Sequence, residues 1–150
     1  MKTAQGVKVI EFNARFGDPE TEVVLPLLES DAYDVFYGIA TNTLPFREGQ
    51  GEGLQWKNEA TIGVVLASKG YPGDYAKGAV IEGVELFDGP VFHMGTKNDN
   101  GVLKINGGRV MMCIATGKDI AEAQAKVYKE IEKIHCDNLF YRKDIAHWAL

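Results

Sequence analysis

The chain has 150 residues, 45% of them hydrophobic and 25% charged, which is enough apolar content for one ordinary core and too much for a disordered sequence. A net charge of -5 at pH 7 with no Lys/Arg run excludes a general binder of nucleic-acid backbones, though a local anion site stays open. No apolar run approaches the roughly 20 residues of a membrane span, and the N-terminus lacks a signal-peptide layout, so a cytoplasmic setting is expected.

Residues 7–12, Val-Lys-Val-Ile-Glu-Phe, alternate as a strand, and Ala4-Gln5-Gly6 before them reads as a tight turn. Asp18-Pro19-Glu20 reads as a helix start, with Asp18 as cap and Pro19 in the first turn. Val23, Val24, Leu27 and Leu28 would form that helix's buried stripe, with Pro26 dividing it. A second helix is expected from Asp31 to about Ala40, with Val35, Phe36 and Ile39 on one side. Residues 45–55 hold three glycines and few apolar groups, the composition of a connector.

Beyond the connector β signals dominate. Ala60–Ser68 is a long β-branched run, and Val80–Val84 and Val91–His93 are shorter. Val102–Ile105 and Arg109–Ala115 flank Asn106-Gly107-Gly108, which reads as the turn of a hairpin rather than a phosphate cradle. The strands are expected to form one mostly antiparallel sheet. Cys113 lies within an apolar run as a small core residue; Cys136 is distant from it, and the absence of a CxxC pair argues against zinc. A helix from Asp119 to about Ile134 carries Ile120, Ala123, Val127, Ile131 and Ile134 at helical spacing, with Asp119 and Glu122 placed as a capping pair. Residues 138–145 form a short strand-like piece ending in charges. The fold class expected is α+β.

The stretch Glu11 to Glu20, EFNARFGDPE, is dense in polar groups. On a strand Glu11 and Asn13 share a face, and one carboxylate with one amide oxygen suits the partial shell of magnesium, which leaves other positions to water and phosphates. Arg15 offers a planar fork for an anion, and Gly17 permits a tight turn. From spacing alone the plainer reading, a strand followed by ordinary capping, stands beside the functional one.

VKVIEFNARFGDPET, GVVLASKGYPGDY, VFHMGTK, NGGRV and FYRKDI follow one another in this order, and together they resemble the C-terminal part of the phosphoribosylamine–glycine ligases, an ATP-grasp family of purine synthesis. The resemblance covers essentially the whole chain. It implies an enzyme that uses ATP to phosphorylate glycine and lets the amine of 5-phosphoribosylamine attack the acyl phosphate, giving glycinamide ribonucleotide, ADP and phosphate. By the same resemblance Glu11 and Asn13 match the ligands of Mg2+ or Mn2+. Arg15, Gly17, Asp18 and Glu20 fall in the loop lining the substrate pocket, with Arg15 and Asp18 as catalytic candidates. Asp18 is weighed equally as an N-cap.

In the second part, KGYPGDY and HMGTK are implied to be loops brought toward the active site. There His93, Thr96 and Lys97 would reach substrate phosphate, with a buried structural role for His93 kept open. Arg142 and Lys143 either close over an anion or pair with Asp144. Met94 stands where the family has a smaller residue, and Ala146-His147-Trp148 where it has Gly next; His135, His147 and Trp148 read as structural or terminal.

The implied organisation is a C-terminal piece of an ATP-grasp domain at 1–45, a connector at 46–56 and the ligase C-terminal domain at 57–150. The missing N-terminal part of the same enzyme would be the partner, and the chain alone is expected to be inactive. The competing expectation is a non-catalytic binding or scaffold module; a different ATP-grasp ligase, such as a carboxylase subunit, ranks last because it would not carry RFGDPE together with GYPGDY.

Overall fold

The computed structural model describes residues 1–12, 14–43 and 54–150. Along the chain, β1 (Lys2–Thr3) and β2 (Gly6–Val7) pair as a small antiparallel hairpin. A short helix α1 (Thr21–Val24) runs into a 3-10 turn at Leu25–Leu27, and α2 (Ala32–Thr41) follows. Then come β3 (Ala60–Ser68), β4 (Val91–His93), β5 (Thr96–Asp99), β6 (Val102–Ile105), β7 (Arg109–Gly117), α3 (Ile120–Ile131) and β8 (Leu139–Phe140).

The long β-branched run of β3 pairs antiparallel with β7 over nearly its full length, and β4 and β8 complete a four-stranded antiparallel sheet in the order β4-β7-β3-β8. Alternation divides the side chains between two faces. Ile62, Val64 and Leu66 join Met111 and Cys113 against Ala123, Val127 and Ile131 of α3, forming the main core. Burying each such large apolar side chain contributes about 1.5–3 kcal/mol. The other face meets α1. At Gly63 an added Cβ would lie 2.0 Å from Met112 Cε and 2.7 Å from Val23 Cγ1, so the missing side chain is what lets α1 settle onto the sheet. Mixed helix and antiparallel sheet make this an α+β structure, as expected, but β5 and β6 pair apart from the four-stranded sheet, so the strands beyond the connector do not form the one sheet expected.

α3 begins with a cap: the Asp119 carboxylate accepts the Glu122 N–H at 2.8 Å. The Glu122 carboxylate accepts from the Lys118 N–H at 3.1 Å rather than from that of Asp119, so the capping pair is half of the reciprocal form. α2 is capped likewise by Asp31, which accepts from the Tyr33 and Asp34 N–H groups.

Four further expectations are corrected. Only Val7 of the 7–12 run lies in a strand; Val9, Ile10 and Phe12 are exposed, and alternation without an adjacent strand to pair with does not hold a ladder. Val80–Val84 makes only isolated bridges, Val80 to Lys104 and Glu82 to His135, before a 3-10 turn at Val84–Leu86. Asn106-Gly107-Gly108 does not close a hairpin, because β6 pairs with β5 while β7 pairs with β3 and β4. The hairpin turn is instead Asn100-Gly101, whose φ values of 54° and 87° suit a primed turn. Finally, the two stripes expected on the first helices are incomplete: Val24 is exposed on α1, and on α2 Phe36 and Ile39 are exposed while Val35 is buried. Much of the expected connector lies outside the described residues; its end at 54–57 docks on 27–30 through Lys57 N–H to the Leu27 carbonyl at 2.8 Å and Glu29 N–H to the Gln55 carbonyl at 2.9 Å.

Candidate functional site

The loop before α1 is fixed by Thr21, whose hydroxyl donates to the Gly17 carbonyl at 2.6 Å. Helical residues begin at Thr21, and Asp18 caps nothing; its carboxylate points away to the start of β7. There Arg109 donates from Nη1 to Oδ1 and from Nη2 to Oδ2 of Asp18, each at 3.0 Å, and from Nη1 to the Asp18 carbonyl at 3.2 Å. A planar fork meeting a carboxylate in this way fixes orientation as well as charge. Arg109 reaches the loop because the register shifts by one residue between Leu66, opposite Met111, and Ala67, opposite Arg109. That bulge re-aims the start of β7.

Three glycines bring the surrounding loops close. Gly95 and Gly107 touch backbone to backbone: a Cβ on Gly95 would lie 2.4 Å from the Arg109 carbonyl oxygen and 2.7 Å from Gly107 Cα. A Cβ on Gly108 would lie 2.2 Å from the Tyr71 ring. Buried Ser68 ties the segment down, donating its hydroxyl to the Gly107 carbonyl at 2.7 Å and its N–H to the Gly108 carbonyl at 2.8 Å. Gly107 and Gly108 thus cross between sheets and floor a cavity.

That cavity, about 410 Å³, is lined by Asp18, Glu22, Tyr71, His93, Met94, Gly107, Gly108 and Arg109. His93 is exposed, which removes the buried structural reading, and its Nδ1 pairs with the Thr96 hydroxyl at 2.9 Å. The RFGDPE, GYPGDY, HMGTK and NGGRV stretches therefore all reach one place. Arg109, Tyr71 and Glu22 were missed by sequence reasoning. The glycine pair beside Arg109 was the available signal, since two adjacent glycines mark close backbone approach as well as a turn.

The other predicted residues lie apart from the cavity wall. Arg15 is exposed and turns back to donate to the Phe16 carbonyl at 2.5 Å. Glu20 is exposed and folds over Gly17, where an added Cβ would lie 2.3 Å from its Oε2. Lys97 is exposed on β5 opposite Lys104. Lys143 is exposed, and its neighbour Arg142 is engaged with Asp144 through Nε at 2.9 Å and Nη2 at 2.7 Å, holding the Asp144 carboxyl below its usual range. Glu11 is exposed, and Asn13 falls outside the described residues. Among the described residues no group of three or more His, Cys, Asp or Glu side chains is placed to hold a metal ion. One exposed carboxylate still suits a single ligand position of magnesium, whose shell draws mostly on water and phosphates. No described helix is long and apolar enough to cross a membrane.

The chain matches the family model described as Phosphoribosylglycinamide synthetase, C domain, over residues 61–148. It is 51% identical to the phosphoribosylamine–glycine ligase of Halalkalibacterium halodurans, with 100% of this chain and 34% of that protein aligned. Against the enzyme of the same name from Pseudomonas aeruginosa the identity is 44%, over 95% of this chain and 33% of that protein. The crystal structure of phosphoribosylamine–glycine ligase from Thermotoga maritima aligns with a TM-score of 0.74 at 36% identity, over 97% of this chain and 35% of that one. The chain spans about a third of the length of these relatives.

Proposed function

Since the chain belongs to the phosphoribosylglycinamide synthetase C-domain family, we propose that it is the C-terminal part of an ATP-dependent ligase that joins glycine to 5-phosphoribosylamine through a glycyl phosphate, giving glycinamide ribonucleotide, ADP and phosphate. The observation that carries this reading is the meeting of Asp18 with Arg109 beside His93 and Tyr71 in one polar cavity. Four separated stretches converge there, as a site for a polar substrate requires.

On this reading residues 1–45 close an ATP-grasp domain, 46–56 connect, and 57–150 form the C-terminal domain, all in the cytoplasm. The polypeptide that completes the enzyme supplies the pockets for adenine and most of the triphosphate. ATP supplies the phosphoryl group that activates the glycine carboxylate, and Glu11 with Asn13 would hold the Mg2+ or Mn2+ that neutralises the phosphates. The chain's own residues position the substrates. Arg109 fixes the Asp18 loop, and His93, paired through Nδ1 with Thr96 and lining the cavity, serves as a partner for a substrate oxygen. Arg15, Gly17, Glu20, Lys97 and Lys143 lie outside the cavity wall and remain substrate-binding candidates, with Arg15, Lys97 and Lys143 carrying the charge that suits an anionic ligand. Rate gain in such a site comes from orientation and preorganised charge.

The test mixes the chain with the N-terminal two-thirds of a relative, ATP, magnesium, glycine and 5-phosphoribosylamine, and follows ADP release. Release that needs both polypeptides and both substrates, and that is lost in Glu11→Ala, is the expected result. Silence from two folded and associated polypeptides would replace the ligase reading with that of a non-catalytic binding module.

A further inference from the structure

Glu22 lies on α1, two residues after Glu20 of the motif. Its Oε2 is buried and makes no hydrogen bond among the described residues. The same side chain lines the polar cavity and the adjoining apolar one of about 550 Å³, whose wall includes Phe16, Leu25, Pro26 and Phe92. A carboxylate oxygen withdrawn from water without a donor is costly, and buried polar groups in folded proteins are almost always paired. The other carboxylate of the polar cavity does not share this want, because both oxygens of Asp18 are held by Arg109.

We propose that Glu22 is the recognition group for the ammonium head of a primary-amine substrate entering the polar cavity. The proposal rests on the ligase reading, in which glycine and 5-phosphoribosylamine each bring an amine. An ammonium group carries three donors and a full charge, and a charge-assisted N–H to carboxylate bond is about twice as strong as a neutral one. Arg109 completes the complementarity. It makes three hydrogen bonds to Asp18 through Nη1 and Nη2, and a guanidinium has about five N–H groups in all, so it keeps donors for the anionic part of the same substrate. Asp18 is then a positioning residue that acts through Arg109, and the amine contact belongs to Glu22.

Two measurements test this. In the reconstituted ligase, Glu22→Gln keeps the shape and removes the charge, and the KM for one amine substrate is expected to rise about tenfold or more with the KM for ATP unchanged. A rise for glycine alone assigns the ammonium to glycine, and a rise for 5-phosphoribosylamine alone assigns it there; unchanged KM for both overturns the proposal. In the chain by itself, carbon-13 NMR of the Glu22 carboxyl carbon follows titration with methylammonium and with tetramethylammonium, which has no N–H. A saturating shift with methylammonium only is expected, whereas a shift at Asp18 instead, or none at Glu22, overturns the proposal. This second reading is obtained even where the reconstituted mixture makes no product, so failure of the ligase reading and failure of the Glu22 contact are told apart.

Discussion

Arg109 holds the Asp18 carboxylate with two parallel bonds of 3.0 Å across 91 positions of sequence, joining the loop before α1 to the bulged start of β7. Its side chains are 35% and 48% exposed, so solvent screens much of the attraction. A double-mutant cycle of Asp18→Asn and Arg109→Lys, read by urea denaturation, is expected to give a coupling of about 1 kcal/mol or less. The functional loss should be larger than that figure suggests. Lysine keeps the charge but not the fork, so on the proposed ligase reading Arg109→Lys should lower the activity of the reconstituted mixture at least tenfold. Wild-type activity in Arg109→Lys would show that the fork is ornamental to the site.

The glycine floor makes a second expectation. Gly95→Ala sets a methyl against the backbone carbonyl of Arg109, which cannot swing aside, whereas Gly108→Ala strikes the ring of Tyr71, which can. Overpacking of this kind costs about 1–3 kcal/mol, and thermal unfolding should place Gly95→Ala at the upper end. Adding Tyr71→Ala should recover stability in Gly108→Ala and give nothing back in Gly95→Ala. Equal behaviour of the two pairs would contradict the contacts described.

How much of this was readable in the sequence depends on how far each signal reaches. The bounds of β3 and the Asp119 cap were legible because they are local: a β-branched run and a side chain three residues from its donor. The Gly107-Gly108 segment was misread as a hairpin because its role is set by Ser68, Tyr71 and Gly95, all distant in sequence, while the true turn at Asn100-Gly101 carried the same dipeptide signal and was passed over. Residues 8–12 alternate like a strand but have no described strand beside them. In the candidate site, the motifs named Asp18 and His93, and the fold brings both to one cavity. Arg109 was not singled out, since its place follows from a one-residue register shift against β3 that no periodicity reveals.

Acid stability should depend on two carboxylates of α3. Glu130 is held below its ordinary value of 4.5 first by its bond with Lys133 and then by the Asp88 N–H, and Glu122 is lowered first by Lys126 and then by the Lys118 N–H. A depressed folded-state pKa means that the unfolded chain binds more protons as pH falls. Their contribution is therefore fully present above about 4.5, the ordinary value for both, and is lost as pH drops through the lowered folded values. Urea midpoints should stay level from neutral pH to about 5 and decline below that. Glu130→Gln should make the acid limb shallower. A limb of unchanged slope in a Glu122→Gln and Glu130→Gln double variant would remove these residues from the account.

Cys113 and Cys136 should differ sharply in reactivity. Cys113 is fully buried in β7 between β3 and β4, and burial raises its thiol pKa to about 12. The thiolate is the nucleophile, so at mildly alkaline pH almost none of the reactive form exists at this site, and the sheet blocks access besides. Cys136 lies at the edge of the core, partly open to solvent. Iodoacetamide should therefore add one carbamidomethyl group to the native chain, at Cys136, and two after unfolding in urea, as read by peptide mass spectrometry. Because modification of Cys113 requires opening of the β3–β7 pairing, its slow labelling rate under native conditions should fall further with any substitution that stabilises the sheet. Rapid labelling of Cys113 in the native chain would mean that this pairing opens far more readily than its burial implies.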